Sequence, residues 1–167
     1  MILPATSNKL RPMEPVQVEG VEELRDLIGR ELGPTDWLEI TQEDIDTFAD
    51  VSRDHQWIHV DTERAAKESP YGTTVAHGNL TLSLLDHFRP QLIRNSGVTM
   101  GINYGFDRVR FPAAVPAGSR VRARAEVVSV DELGEGWWHV VTRFTIEGDG
   151  QEKPVCVADS VGRALTA

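Results

Sequence analysis

The 167-residue chain has one cysteine, Cys156, set in an apolar run, so it forms no internal disulfide and carries no paired-cysteine metal or redox motif. A reducing compartment fits that usage. No apolar stretch approaches the length of a membrane span, and the opening MILPATSNKLRP has too short an apolar run for the core of a signal peptide. A cytoplasmic protein with no membrane partner is expected. Positive charge is scarce: seventeen Lys and Arg against twenty-six Asp and Glu leave a net charge of -9. That balance speaks against general affinity for nucleic acid or an anionic bilayer. Repeats and low-complexity tracts are also missing. What remains, 40% hydrophobic over this length, suits one domain with a sizeable core.

Residues 1–18 hold Pro4, Pro12 and Pro15 with little periodicity and read as an extended or disordered arm, leaving 19–167 as the domain. Leu24, Leu27, Ile28 and Leu32 share a helical face, so a helix is expected over Val21–Leu32, stopped by Gly33-Pro34. Trp37, Leu38 and Ile40 suggest a short strand. Thr41 with an acid three residues later is a capping-box pattern, and Ile45, Phe48, Ala49 and Ser52 line one face of the helix it opens. That helix delivers Arg53, Asp54 and His55 into a turn.

The organising stretch is Gly72–Arg94, whose leucines at 80, 84, 85 and 92, together with Phe88, predict a buried central helix. Its start lies at His77-Gly78-Asn79, and Pro90 predicts a kink or an end within a turn of Arg89. Beyond it the pattern becomes sheet-like. Val98–Phe111 reads as a strand, Ser119–Val130 alternates with Arg120, Arg122 and Arg124 on a solvated face, and turns at 133–136 and 148–151 separate two further strands. An antiparallel sheet needs its apolar face covered, and the central helix is the one element long enough to do it. The fold class is therefore α+β, a curved sheet around a helix, and its open edges favour a homodimer.

Asp54 and His59 lie five residues apart in SRDHQWIHV, with Trp57 and Ile58 as apolar neighbours. A carboxylate and an imidazole holding one water between them can remove one proton and deliver another, as adding water across a carbon–carbon double bond requires. Structural roles, a turn cap for Asp54 and a satisfied polar position for His59, are the alternative. A metal could be imagined on His55, His59, Asp54 and Asp61, but the Trp57-Ile58 stretch does not read as helical and offers no third ligand at metal spacing; no metal is expected.

The run Phe48-x5-Asp54-x4-His59-x5-Ala65, then Gly72-Thr-Thr-Val-Ala-His-Gly78, then Phe111-Pro-x2-Val-Pro-x-Gly-Ser119, resembles the MaoC-like, R-specific enoyl-CoA hydratase family. The resemblance implies a hot dog fold, usually dimeric. It further implies reversible hydration of trans-2-enoyl thioesters to (3R)-3-hydroxyacyl thioesters without cofactor, coenzyme A or acyl carrier protein entering only as part of the substrate. Asp54 and His59 match the family's catalytic pair, with the choice of base left open, and the Gly78 N–H matches its oxyanion donor. Where the family commonly reads Gly-Asp-x-Asn-Pro-(aliphatic)-His, this chain has Arg53, Gln56 and Trp57, a variant similar to that of an HQWIH subgroup.

Gln56 can supply an amide donor, and Gln56, Trp57 and His77 are expected beside the substrate, His77 with a plainer alternative of holding its turn. Arg108 and Arg110 are candidates for the phosphates of coenzyme A or a carrier. Tyr104 and Phe106 read as core or as the wall of an acyl tunnel. His87 and His139 read as ordinary polar positions. Two other functions stay open: a non-catalytic acyl-thioester or partner-binding module, and a thioesterase.

Overall fold

The computed structural model describes residues 13–167. The part of the N-terminal arm at 1–12 lies outside the described residues. Val16–Glu19, the end of that arm, forms strand β1, pairing in parallel with Ile93–Ser96 (β4). The helix expected over Val21–Leu32 is not there. Val21, Leu24 and Leu27 are buried at a spacing of three, which suits the three residues per turn of the 3-10 helix found at Glu22–Leu27. Ile28 is then extended and Gly29 takes φ +76°, ending the turn and releasing Glu31–Leu32 as strand β2.

Leu38–Glu39 is β3, and α1 runs Gln42–Ser52. Its start is the expected capping box: the Thr41 hydroxyl accepts from the Asp44 N–H, and the Asp44 carboxylate accepts from the Thr41 N–H. Ile45 and Ala49 are fully buried on its inner face, while Ser52 is exposed. Two short helices follow, α2 at Trp57–Val60 and α3 at Thr62–Glu68. The one-turn α2 corrects the reading of Trp57-Ile58 as non-helical.

The central helix is interrupted. α4 spans Gly78–Ser83, Leu84 breaks the regular pattern, and α5 spans Leu85–Leu92. Pro90 sits inside α5, which ends within a turn of Arg89. Leu80, Leu85, Phe88 and Leu92 are buried, but Asn79, Ser83, Asp86 and His87 are exposed, so this helix is buried on one side only.

The main sheet has six strands: β5 (Val98–Arg110), β6 (Arg120–Gly134), β7 (Trp137–Gly148) and β8 (Cys156–Thr166) in the order β6-β7-β8-β5, with β2 and β3 both antiparallel to β6. A two-residue turn, Glu135 at φ 53° and Gly136 at φ 78°, closes the first hairpin with the backbone hand that matches strand twist. Val121, Ala123, Ala125 and Val127 face inward with Phe144 and Ile146, and the α5 side chains Leu85, Phe88 and Leu92 join the same core. Cys156 is buried there too, and burial pushes its thiol up to about 11, leaving it protonated and unreactive.

The arginine face of β6 is solvated only in part: Arg120 is exposed, while Arg122 and Arg124 are mostly covered. Arg122 and Arg124 both bond Glu147 on β7, at 2.9 and 2.8 Å, Arg124 also reaches Glu31 on β2, and Arg120 pairs with Asp149. Burial alone would raise the Glu147 carboxyl, but the two guanidinia outweigh it and hold it below its ordinary value. No helix among the described residues is long and apolar enough to cross a membrane.

Candidate active site

α1 ends at Arg53, which takes the left-handed conformation at φ 65° and turns the chain so that Asp54 leaves the helix at an angle. A side chain at positive φ is strained where glycine is not. The Asp54 carboxylate accepts from the Gln56 N–H at 3.3 Å and is solvent-exposed in the protomer. Its backbone carbonyl accepts from Nε2–H of His77 at 2.9 Å, tying this loop to the residue before α4.

α2 presents His59, 7% exposed, toward the segment that leads into α4. The Ile58 carbonyl accepts from the Val75 N–H at 3.0 Å, and the Val75 carbonyl accepts from His59 Nδ1–H at 2.6 Å. Because a carbonyl can only accept, Nδ1 carries the proton and the neutral ring keeps a lone pair on Nε2. Burial lowers the pKa of His59 from the ordinary 6.5; the Val75 bond works against this, nearby His77 reinforces it, and the Asp54 charge opposes it. The same reasoning leaves the lone pair of His77 on Nδ1, which is buried without a partner among the described residues. The two imidazoles stack with centroids 3.7 Å apart and planes 24° off parallel.

Asp54, His59 and His77 bring one donor atom each to within 4.8 Å of one another. His77, expected beside the substrate, is thus the third residue of the cluster; its contact with His59 comes from a distant segment and is not set by local spacing. His55 is turned away onto Asp50, at 2.9 Å.

A residue that sequence reasoning missed is Gln42. From α1 its amide donates to the His59 carbonyl at 2.8 Å, while its oxygen accepts from the fully buried Thr74 hydroxyl, so one side chain clamps α1, α2 and the approach to α4. Its only sequence signal is a position one residue after a helix cap.

A cavity of about 620 Å³ opens beside His59, bounded by Ile58, Gly78 and Thr81 on one side and by the loop 111–116 on the other. Ala76 N–H donates to Val115 O at 2.8 Å, which draws that loop against the start of α4. The Phe111 ring lies over Gly78 so closely that a methyl group there would meet it at 2.8 Å. Glycine at this helix start leaves room for that ring, and the first N–H groups of a helix have no partner within it.

The remaining site candidates lie outside this cavity's wall. Gln56 is exposed at the start of α2, and Trp57 packs beneath the Arg64 guanidinium, 4.2 Å from its ring centroid. Arg108 and Arg110 are exposed at the end of β5 that runs into Phe111, neither of them in an ion pair among the described residues; Arg110 donates to the Val109 carbonyl at 2.7 Å. Tyr104 and Phe106 are surface residues, not core, because β5 is the last strand of the sheet among the described residues.

A curved antiparallel sheet packed on a central helix is the hot dog fold, here with a buried histidine pair and a carboxylate beside the start of that helix. The chain belongs to the MaoC-like dehydratase family, whose model, described as MaoC like domain, matches residues 23–147. It is 50% identical over 145 residues to 3-hydroxyacyl-thioester dehydratase Z of Mycobacterium tuberculosis, covering 87% of this chain and 95% of that protein. It is 44% identical over 136 residues to nodulation protein N of Rhizobium leguminosarum bv. viciae, covering 79% and 83%. The R-hydratase PhaJ1 of Pseudomonas aeruginosa shares the fold, with TM-score 0.62, 23% identity, and coverage of 84% and 83%.

Proposed function

We propose that the chain is a 3-hydroxyacyl-thioester dehydratase that interconverts (3R)-3-hydroxyacyl and trans-2-enoyl thioesters of coenzyme A or an acyl carrier protein. The observation that carries this reading is the buried, neutral His59, its Nδ1–H committed to Val75, with a ring nitrogen within 4.8 Å of an Asp54 carboxylate oxygen and its ring in the cavity that Gly78 also lines. A dehydratase-named relative, 50% identical over 95% of its own length, supports it.

In the hydration direction a water held between Asp54 and His59 Nε2 adds through oxygen to C3. The pair takes its proton, and C2 receives one as the thioester carbonyl reforms. With His59 neutral and Asp54 a carboxylate, the pair starts with no proton to spare, so the proton delivered to C2 is the one taken from water. Negative charge building on the thioester oxygen is met by the Gly78 N–H at the start of α4. His77 holds the Asp54 loop through its carbonyl and backs His59 by stacking. Asp54, His59 and His77 are a conceivable metal set, yet the near-parallel rings send their in-plane lone pairs alongside one another and not to a common point, which favours water over an ion. Turnover should accordingly survive exhaustive treatment with EDTA.

Among the described residues β5 has a partner on one side only, and Met100, Ile102 and Tyr104 are exposed along it. A second copy pairing there makes a homodimer. The exposure of Asp54 favours a rival reading, a binding module whose acid is never tuned. Loss of enoyl absorbance with crotonyl-CoA and a longer trans-2-enoyl-CoA decides between them. Asp54→Asn and His59→Gln should each lower kcat/KM by about 10²–10⁴-fold with the fold intact. Undiminished turnover in Asp54→Asn would sink the mechanism, and acyl-CoA binding without turnover by the wild type would install the rival.

A further inference from the structure

A second cavity, of about 540 Å³, lies between α5 and the inner face of the sheet, and it shares no lining residue with the cavity at His59 and Gly78. Residues directly opposite each other on antiparallel strands point to the same face. The register therefore sets Thr142 beside Ser160, Gly162 beside Asn103 and Gly101 beside Ala164 on one inner floor. Arg163 points to the other side, so Arg89, reaching down from α5, is the one guanidinium above this floor among the described residues. The remaining walls are mainly apolar, Val21, Leu24, Ile93 and Val98 among them. From Ser160 the floor runs through Gly162 to Ala164, roughly 13 Å of strand.

Two floor positions are glycine without a backbone reason. Neither Gly101 nor Gly162 has a φ in the left-handed region. A Cβ at Gly101 would have nothing within 4 Å, and one at Gly162 would meet only the Val140 and Ile102 carbonyl oxygens, at 3.8 and 3.9 Å. A larger side chain fits both places and would strengthen the strands. Glycine inside a strand marks a bulge, a bend or a close approach by something else, and no register shift falls at either residue. The glycines keep the cavity open.

The polar end of the floor lies under Arg89. Its guanidinium is 4.9 Å from the Phe144 ring centroid and gives one N–H to the Ser160 hydroxyl at 3.0 Å. The exposed Asp86, its nearest carboxylate among the described residues, is 4.0 Å from Nε, beyond hydrogen-bond range. Burial lowers the pKa of Arg89, and Asp86 opposes this only in part. An arginine carries five donors in a planar fork that matches a carboxylate. A phosphate monoester would bring nearly two charges to this single cation.

We infer that this cavity is a binding site for an amphipathic monocarboxylic acid, its carboxylate on Arg89 beside Ser160 and Thr142 and its apolar body over Gly162 and Gly101, separate from the site at His59. An apolar body fits the walls, whereas a wholly apolar ligand would strip water from the guanidinium and return no hydrogen bond. The inference does not depend on the dehydratase reading, since the two cavities have no residue in common.

Hexanoate, octanoate and decanoate are titrated calorimetrically into the full chain alongside the matching alcohols. Hydration of crotonyl-CoA and of a longer trans-2-enoyl-CoA is assayed with and without the acid that binds best. The acid should bind once per chain, at least about tenfold more tightly than its alcohol, as a charge-assisted hydrogen bond gives. That ratio should collapse in Arg89→Leu and survive in large part in Arg89→Lys. Gly162→Val, whose side chain takes the space of the ligand's body, should weaken acid binding at least about tenfold and leave crotonyl-CoA hydration unchanged. If Gly162→Val loses its fold, Gly101→Val, on a different strand, reads the same loss. No binding, equal binding of acid and alcohol by the wild type, or undiminished acid binding in both glycine variants overturns the inference. Competition between the acid and the longer enoyl-CoA would put the acid on the substrate's path and overturn a separate site. Acid binding as expected, with no hydration of either thioester by the wild type, upholds the site and removes the dehydratase reading.

Discussion

His59 shows how burial and one hydrogen bond set a residue's chemistry. An exposed histidine would be partly charged near neutrality, but with its pKa lowered by burial His59 stays neutral to more acid pH and keeps a basic nitrogen. The stability consequence has a definite sign. Below the ordinary value of 6.5 the unfolded chain binds a proton that the folded chain refuses, so acidification through that window destabilises the fold, whereas above it His59 contributes no slope. The urea midpoint of the wild type should therefore fall from pH 7 toward pH 5 more steeply than that of His59→Gln. Arg53 makes a second residue-scale point: at φ 65° its side chain is a strain that a glycine would avoid. Arg53→Gly should raise stability by up to about 1 kcal/mol, the relief exceeding the entropy of the added glycine, as chemical denaturation would show.

At the scale of elements, the site depends on short pieces held by side chains. α2 is a single turn, far too short to persist alone, and it is kept in place by Val75 on one side and Gln42 on the other. Gln42→Ala removes the bond to the His59 carbonyl and strands the fully buried Thr74 hydroxyl. That should cost about 1–3 kcal/mol of stability, and kcat should fall more than KM rises because His59 is no longer held in register. A Gln42→Glu variant, which keeps the acceptor for Thr74 but not the donor to His59, should recover stability more than turnover. A purely structural role would restore both together.

For the whole molecule, the decisive feature is that, among the described residues, the sheet ends at β5. A thirteen-residue strand with one free edge and exposed Met100, Ile102 and Tyr104 is a surface that soluble proteins cover. Sedimentation should give a dimer for the wild type, and Met100→Lys combined with Ile102→Lys should shift it toward monomer by placing like charges along the edge. Asp54 links this scale to the site. Its carboxylate is exposed in the single chain, and general acid–base work benefits from a drier setting that a second copy or the bound substrate supplies. Dissociated protein should then lose turnover in step with its dimer content, measured across a dilution series.

The sequence by itself determined what local chemistry dictates. The capping box at Thr41 and Asp44, the alternation of β6, the hairpin turn at Glu135-Gly136 and the apolar stripe of the central helix are each set by neighbours within a few residues, and all are found. The order of three separated motifs was enough to mark the family. Where local signals conflicted, tertiary packing decided. Val21–Leu32 carries a helical stripe but becomes a 3-10 turn and a strand because β6 offers Glu31 and Leu32 a partner. The stacking of His77 on His59, the clamp of Gln42 and the closing of Phe111 over Gly78 join residues 17 to 33 positions apart; only the folded chain brings them together, since no spacing rule reaches across such distances.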